Sequence, residues 1–131
     1  MRLQVKDFMS SPVTTTVKEN SIKEVRILMK SKGIHAIPIV EYFTQLPNPY
    51  IKIQGIVTGT DLNTGIDEKF PVSEIMTSQV HIVHKNSSAQ AAAKMMLKHK
   101  VHHIVVMDDG KIVGIISSLD FVGLVAEYTL D

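Results

Sequence analysis

The chain has 131 residues, 44% of them apolar, which is the size and composition of one compact domain with a full core. Its 14 basic and 13 acidic side chains leave a net charge of +1, excluding a general field that would gather nucleic acid or an anionic membrane; any bound anion must meet a local site. The absence of cysteine excludes disulfides, thiolate nucleophiles and cysteine zinc sites, and early charges with no long apolar run argue against a signal peptide or membrane span, so a cytoplasmic protein is expected.

The sequence is written twice. Residues Val5 to Val13, reading VKDFMSSPV, are echoed by Val72 to Val80, reading VSEIMTSQV, with Met9 answering Met76. Helix starts follow in both copies: Ser21 with Glu24 and Ser87 with Gln90 each fit a capping box. Ile22, Val25 and Met29 then fall on one helical face, and Ala89, Ala92, Ala93 and Met96 on another, so each helix should bury one stripe. Next come apolar runs rich in β-branched residues, Ile34 to Val40 and Val101 to Met107, which read as buried strands; a second strand follows each, Ile53 to Val57 and Ile112 to Ile116. Asp108, Asp109 and Gly110 signal a tight hairpin in the second copy, whereas the first carries a longer segment, Glu41 to Lys52, expected to project as a loop. The copies close on Thr58-Gly59-Thr60-Asp61 and Ser117-Ser118-Leu119-Asp120. A closing helix is expected over Phe121 to Glu127, and a short or frayed one over Leu62 to Phe70, where Gly65 and Pro71 intervene.

A β-α-β-β-α order repeated twice predicts an α/β (α+β) fold, its two half-domains packed sheet to sheet with pseudo-twofold symmetry and a cleft between them. The expected repeats are residues 1–66, with the inserted loop 41–52, and residues 67–131. The chemistry should lie where each second strand ends in a hydroxyl residue and turns into a helix start. Free amides and hydroxyls there suit phosphate, and an ionised Asp can accept both vicinal hydroxyls of a ribose. Taken singly, Asp61 and Asp120 read equally well as N-caps; their recurrence in register favours a ligand.

The ordered pair of motifs resembles a tandem pair of cystathionine-β-synthase (CBS) domains, a Bateman module, over residues 5 to 127. The elements that carry the resemblance are the Met-Ser/Thr opening, the strand containing Pro38, and the Gly-Ile-Val/Ile-Thr/Ser-x-x-Asp endings from Gly55 and Gly114. The resemblance implies a regulatory module without catalysis that binds AMP, ADP, ATP or S-adenosylmethionine in the cleft, as a sensor of energy state or adenosine supply. It implies that Thr58, Thr60 and Asp61 work with His81, Val101 and His102, and that Ser117, Leu119 and Asp120 work with Thr14, Ile34 and His35. The backbones of Ile56 and Ile115 would face adenine. His102 and His103 stand where relatives often place basic phosphate ligands, against His35 and Ala36 in the first copy, so the two sites should differ. A disc-like homodimer packed through helices, signalling through itself or an unknown protein partner, is also implied.

Six histidines suggest a metal, but His102 and His103 adjoin on a strand and point to opposite faces, and no acidic or thiolate ligand completes a set. No metal, catalytic residue, cofactor other than the regulatory nucleotide, nucleic acid or membrane is expected. Met29, Met95, Met96 and Met107 read as core filling. The alternatives are a ligand-free dimerisation module and an enzyme; no nucleophile paired with a base and no P-loop supports the latter.

Overall fold

The computed structural model describes residues 2–45 and 47–127; Leu46 within the expected loop, and the outermost residues of the two repeat spans, lie outside it. The fold is mixed α and β, with three α-helices and two sheets among the described residues. Its two compact units cut across the repeats: one joins residues 1–13 to 81–131, and the other is continuous from Thr14 to Val80.

In the continuous unit, helix α1 (Ile22–Lys32) starts where Ser21 Oγ accepts the Glu24 amide at 3.1 Å, the capping bond expected from the sequence. It stops at Gly33, whose φ of 63° is left-handed, and the next amide, of Ile34, donates back to the Met29 carbonyl at 3.0 Å. Strands β1 (Ala36–Phe43) and β2 (Tyr50–Thr58) pair antiparallel, with a bulge between Ile39 and Val40. Thr16 bridges β1 in parallel, in place of a regular opening strand. Ile22, Val25 and Met29 bury against Ile37, Ile39, Val57, Leu62 and Val72.

The paired strands run to Phe43 and resume at Tyr50, so the expected loop 41–52 is corrected to a longer hairpin with a shorter tip. Two cross-strand contacts account for this. Phe43 stacks on Tyr50 with ring centroids 4.7 Å apart, and the Gln54 amide donates to Glu41 at 2.6 Å. After Thr58 the chain forms turns and no regular helix, in line with the frayed closing helix expected there.

The second unit contains β3 (Ile82–His84), α2 (Ala89–His99), β4 (His103–Asp108), β5 (Lys111–Ser117) and α3 (Ser118–Glu127). Strand β3 is parallel to β4, and β4 antiparallel to β5. The hairpin turns through Asp109 and Gly110, with φ of 49° and 73°, the left-handed pair that a tight turn needs. Helix α2 is capped by Ser88, whose Oγ accepts the Ala91 amide at 3.0 Å; the expected Ser87 cap is corrected by one residue, two adjacent serines having offered the same chemistry. Ala92 and Met96 bury against Val83, Ile104, Val106 and Ile116, and against Val5 from the chain's opening.

The openings are equivalent in local structure. Val5–Asp7 and Val72–Glu74 each form one tight helical turn with a fully buried valine. The Met-Ser/Thr that follows lies along the last strand of its unit. Ser10 exchanges both backbone bonds with Ile115, at 2.9 and 3.1 Å, and Thr77 does the same with Ile56, at 2.9 Å each. Gly114 and Gly55 permit this approach, since Met9 and Met76 lie where a Cβ would be.

Candidate functional site

Each polar strand end folds as a closed carboxylate box. In the continuous unit Asp61 Oδ2 accepts the Thr58 amide at 2.9 Å and its hydroxyl at 3.2 Å, while the Asp61 amide donates to Thr58 Oγ1 at 3.4 Å. In the other, Asp120 Oδ2 accepts the Ser117 amide at 2.7 Å and the Asp120 amide donates to Ser117 Oγ at 3.3 Å. This second set is a capping box at the start of α3. Neither aspartate is itself an N-cap: Ser117 caps α3 with Asp120 as its third residue, and Asp61 closes a turn that no regular helix follows; in both, the described bonds use Oδ2 alone. A carboxylate offers about four lone-pair positions, so each box fixes its side chain and leaves Oδ1 to accept from a ligand.

A histidine segment is tied to each box. The Gly59 amide donates to the His35 carbonyl at 3.0 Å, and the Ser118 amide to the His102 carbonyl at 2.9 Å. The His102 ring lies further along the same contact, with Nδ1 3.3 Å from Ser118 Oγ. His103 begins β4 directly opposite Ser117. His35 and His102 are exposed, whereas Asp61, Asp120, Thr58 and Ser117 are half-buried. The two ends share backbone geometry and differ in imidazole content.

The remaining candidates divide by unit. Thr14, Ile34, His35, Ile56, Thr58, Thr60 and Asp61 lie in the continuous unit; His81, Val101, His102, His103, Ile115, Ser117, Leu119 and Asp120 lie in the other. Ile34 and Val101 pack at the edges of the two cores. Thr60 is exposed, and its carbonyl accepts the Asn63 amide at 3.1 Å; Leu119 is also exposed. His81 stacks on His99 with centroids 4.2 Å apart.

The backbone amides of Ile56 and Ile115 donate to the Thr77 and Ser10 carbonyls, and their own carbonyls accept from the same two residues and keep one lone pair each. The sequence reading missed Ser10, Thr77 and Ser118 as parts of these ends. The signal was present for the first two, as the hydroxyl that follows Met in both openings.

Among the described residues no helix is long and apolar enough to cross a membrane. No group of three or more histidine, aspartate or glutamate side chains is arranged to hold a metal ion among them.

Comparison with known proteins agrees with this duplicated architecture. The family model described as CBS domain matches twice, over residues 5–68 and 72–127. The CBS domain-containing protein YhcV of Bacillus subtilis is 30% identical over 118 residues, covering 86% of this chain and 79% of its own. The inosine-5'-monophosphate dehydrogenase of Korarchaeum cryptofilum is 28% identical over 118 residues, but the chain spans only 23% of that enzyme's length. Among solved structures, the CBS domain pair of protein MJ0100 in complex with 5'-methylthioadenosine and S-adenosyl-L-methionine superposes with a TM-score of 0.83 at 29% identity. That match covers 96% of this chain and 98% of the other.

Proposed function

We propose a function from one premise: the chain belongs to the CBS domain family and carries a pair of its domains, a regulatory module. On that premise it binds an adenosine-containing ligand at the two strand ends and passes the occupancy on, without catalysing a reaction. The observation that carries this reading is the pair of capped carboxylates, Asp61 and Asp120. Each is held by two or three hydrogen bonds, at the same point of both repeats, with one oxygen left over. Such a group accepts the 2'- and 3'-hydroxyls of a ribose with little loss of side-chain freedom, because the box has already fixed its rotamer.

Two ligand classes remain, each with its own support. AMP, ADP or ATP is favoured by the imidazoles of His102 and His103 near the Ser117–Asp120 end, which can donate to phosphate oxygens. S-adenosylmethionine or a related thioether is favoured by the likeness to the MJ0100 domain pair. A non-catalytic role is supported by the dehydrogenase match, which spans under a quarter of that enzyme. Self-association through helices is the proposed output; α3 exposes Leu119, Val122 and Val125 and buries none of its side chains fully.

Calorimetry with AMP, ATP, S-adenosylmethionine and 5'-methylthioadenosine tests the reading. Asp61→Ala and Asp120→Ala should each remove one site, at about 1.5–3 kcal/mol, or roughly ten- to 150-fold in affinity. A stronger salt dependence for AMP and ATP than for the thioethers would assign phosphate recognition. Unchanged affinity in both aspartate variants would return these residues to capping alone.

A further inference from the structure

The histidine pair outside the carboxylate boxes joins two elements that are distant in sequence. His81 immediately precedes β3, and its carbonyl accepts the Val105 amide at 3.0 Å, which fastens its backbone to β4. His99 is the last residue of α2. Their rings stack at a centroid distance of 4.2 Å with 25° between planes, closing the segment between them into a loop. Past His99 the chain turns through Lys100, a non-glycine residue held at φ 55°, and through the Val101 amide, which donates to the Met96 carbonyl at 3.1 Å. The stack therefore lies beside a turn whose other restraints are the Val101 packing on the core and the Ser118 amide bond to the His102 carbonyl.

We propose that the His81–His99 stack is an acid-operated latch, closed while the pair carries at most one charge and opened when both rings are protonated. Two stacked imidazoles attract through ring contact; two stacked imidazolium ions repel at the same separation. The C-terminal dipole of α2 favours charge on His99, but the surrounding side chains do not relieve the repulsion. Lys98, on α2, adds positive charge. At the other end of β3 the Asp108 carboxylate is engaged by Lys85 at 2.9 Å and by His84 at 3.4 Å. On β4 and the residue before it the titratable groups are His103 and His102, again basic, with His102 directed at Ser118. Desolvation in the stack, then the His81 ring and the Lys98 ammonium, hold His99 below the ordinary imidazole value. The neutral ring is thus the form the closed latch prefers.

Opening would free residues 100–103. That turn carries Val101, His102 and His103, so the link to ligand affinity rests on the function proposed above, while the latch itself does not. Its test uses ligand-free protein. Histidine ring resonances followed by NMR should show the His99 midpoint rising in His81→Asn. Amide exchange at residues 100–103, corrected for intrinsic rates, should accelerate about tenfold in wild type between about pH 7 and pH 5. In His99→Gln, the more conservative variant should His81→Asn fail to fold, that acceleration should be lost. A His99 midpoint unmoved by His81→Asn, or equal acceleration in His99→Gln and wild type, overturns the latch. Loss of ligand binding by calorimetry with these exchange results intact would instead overturn the functional reading.

Discussion

Replacing Gly55 with alanine tests whether the Met-Thr opening is seated against β2 as tightly as its hydrogen bonds require. A Cβ at position 55 would lie 2.8 Å from Met76 Sδ, 2.8 Å from the Thr77 carbonyl oxygen and 3.1 Å from Met76 Cγ. The sulfur can swing away, but the carbonyl cannot retreat without breaking the paired bonds of Thr77 with Ile56. Overpacking costs about 1–3 kcal/mol, and a weakened backbone bond about 1 kcal/mol more. Alanine recovers roughly 0.5–1 kcal/mol of unfolded-chain entropy, so the net loss should be about 2 kcal/mol. At Gly114 the three nearest atoms all belong to the Met9 side chain, which is flexible, and Gly114→Ala should cost about half as much. Thermal unfolding should therefore show Gly55→Ala melting roughly 6–10 °C below wild type and Gly114→Ala roughly 3–5 °C below it. Combining Gly114→Ala with Met9→Ala should recover about 1 kcal/mol relative to the sum of the single effects. Equal losses at the two glycines, or a loss below about 0.5 kcal/mol at Gly55, would refute the claim that backbone rather than side chain sets the limit.

The hairpin can be tested by length: replacing residues 44–49 with Asn-Gly should change stability by under about 0.5 kcal/mol, whereas replacing 41–52 should lose the Phe43–Tyr50 stack and about 1–2 kcal/mol by urea unfolding. Lys100→Gly should stabilise by about 0.5–1 kcal/mol in the same assay, because a left-handed lysine ends α2 where glycine ends α1. Lys85, through its hydrogen bond and charge, holds the Asp108 carboxyl below its ordinary value, as does His84 to a lesser degree. The unfolded chain therefore binds the extra proton first; this contribution is complete above about pH 4 and is lost as pH falls through the folded value, and Lys85→Ala should flatten the acid limb of a melting-temperature profile.

What the sequence made legible was local. The Ser21 cap on the Glu24 amide, the Ile22, Val25 and Met29 stripe and the Asp109-Gly110 turn each depend on residues within a few positions of one another, and the structure contains them, although Asn20 Oδ1 rather than the Glu24 side chain accepts the Ser21 amide. The duplication exposed both carboxylate ends, because a reciprocal Ser/Thr–Asp box spans four residues. What escaped depends on distant partners. Residues 41–43 read as loop because their β character comes from Tyr50 and Gln54 across the hairpin. The pairing of Ile56 with Thr77 and of Ile115 with Ser10 went unread because the partners lie 21 and 105 positions apart. The helix cap at Ser88 was a choice between two adjacent hydroxyls that composition cannot decide.

The interleaving of the two units sets an order of assembly. The continuous unit, Thr14 to Val80, contains all of its own partners once the ribosome has released its last residue. The other cannot close then. Val5, fully buried in the finished protein, must wait for Val83, Ala92, Met96, Ile104 and Ile116 to be synthesised. Its core is made of contacts of long sequence separation, the kind that form late and slowly. During synthesis the Val5–Met9 segment is unpaired, its Val5 and Met9 side chains without their seats, and a second nascent chain carries the same unfilled seat. Exchange of openings between neighbouring chains on one message is thus a hazard specific to the discontinuous unit, and the continuous unit, complete before its neighbour's arrives, is shielded from it.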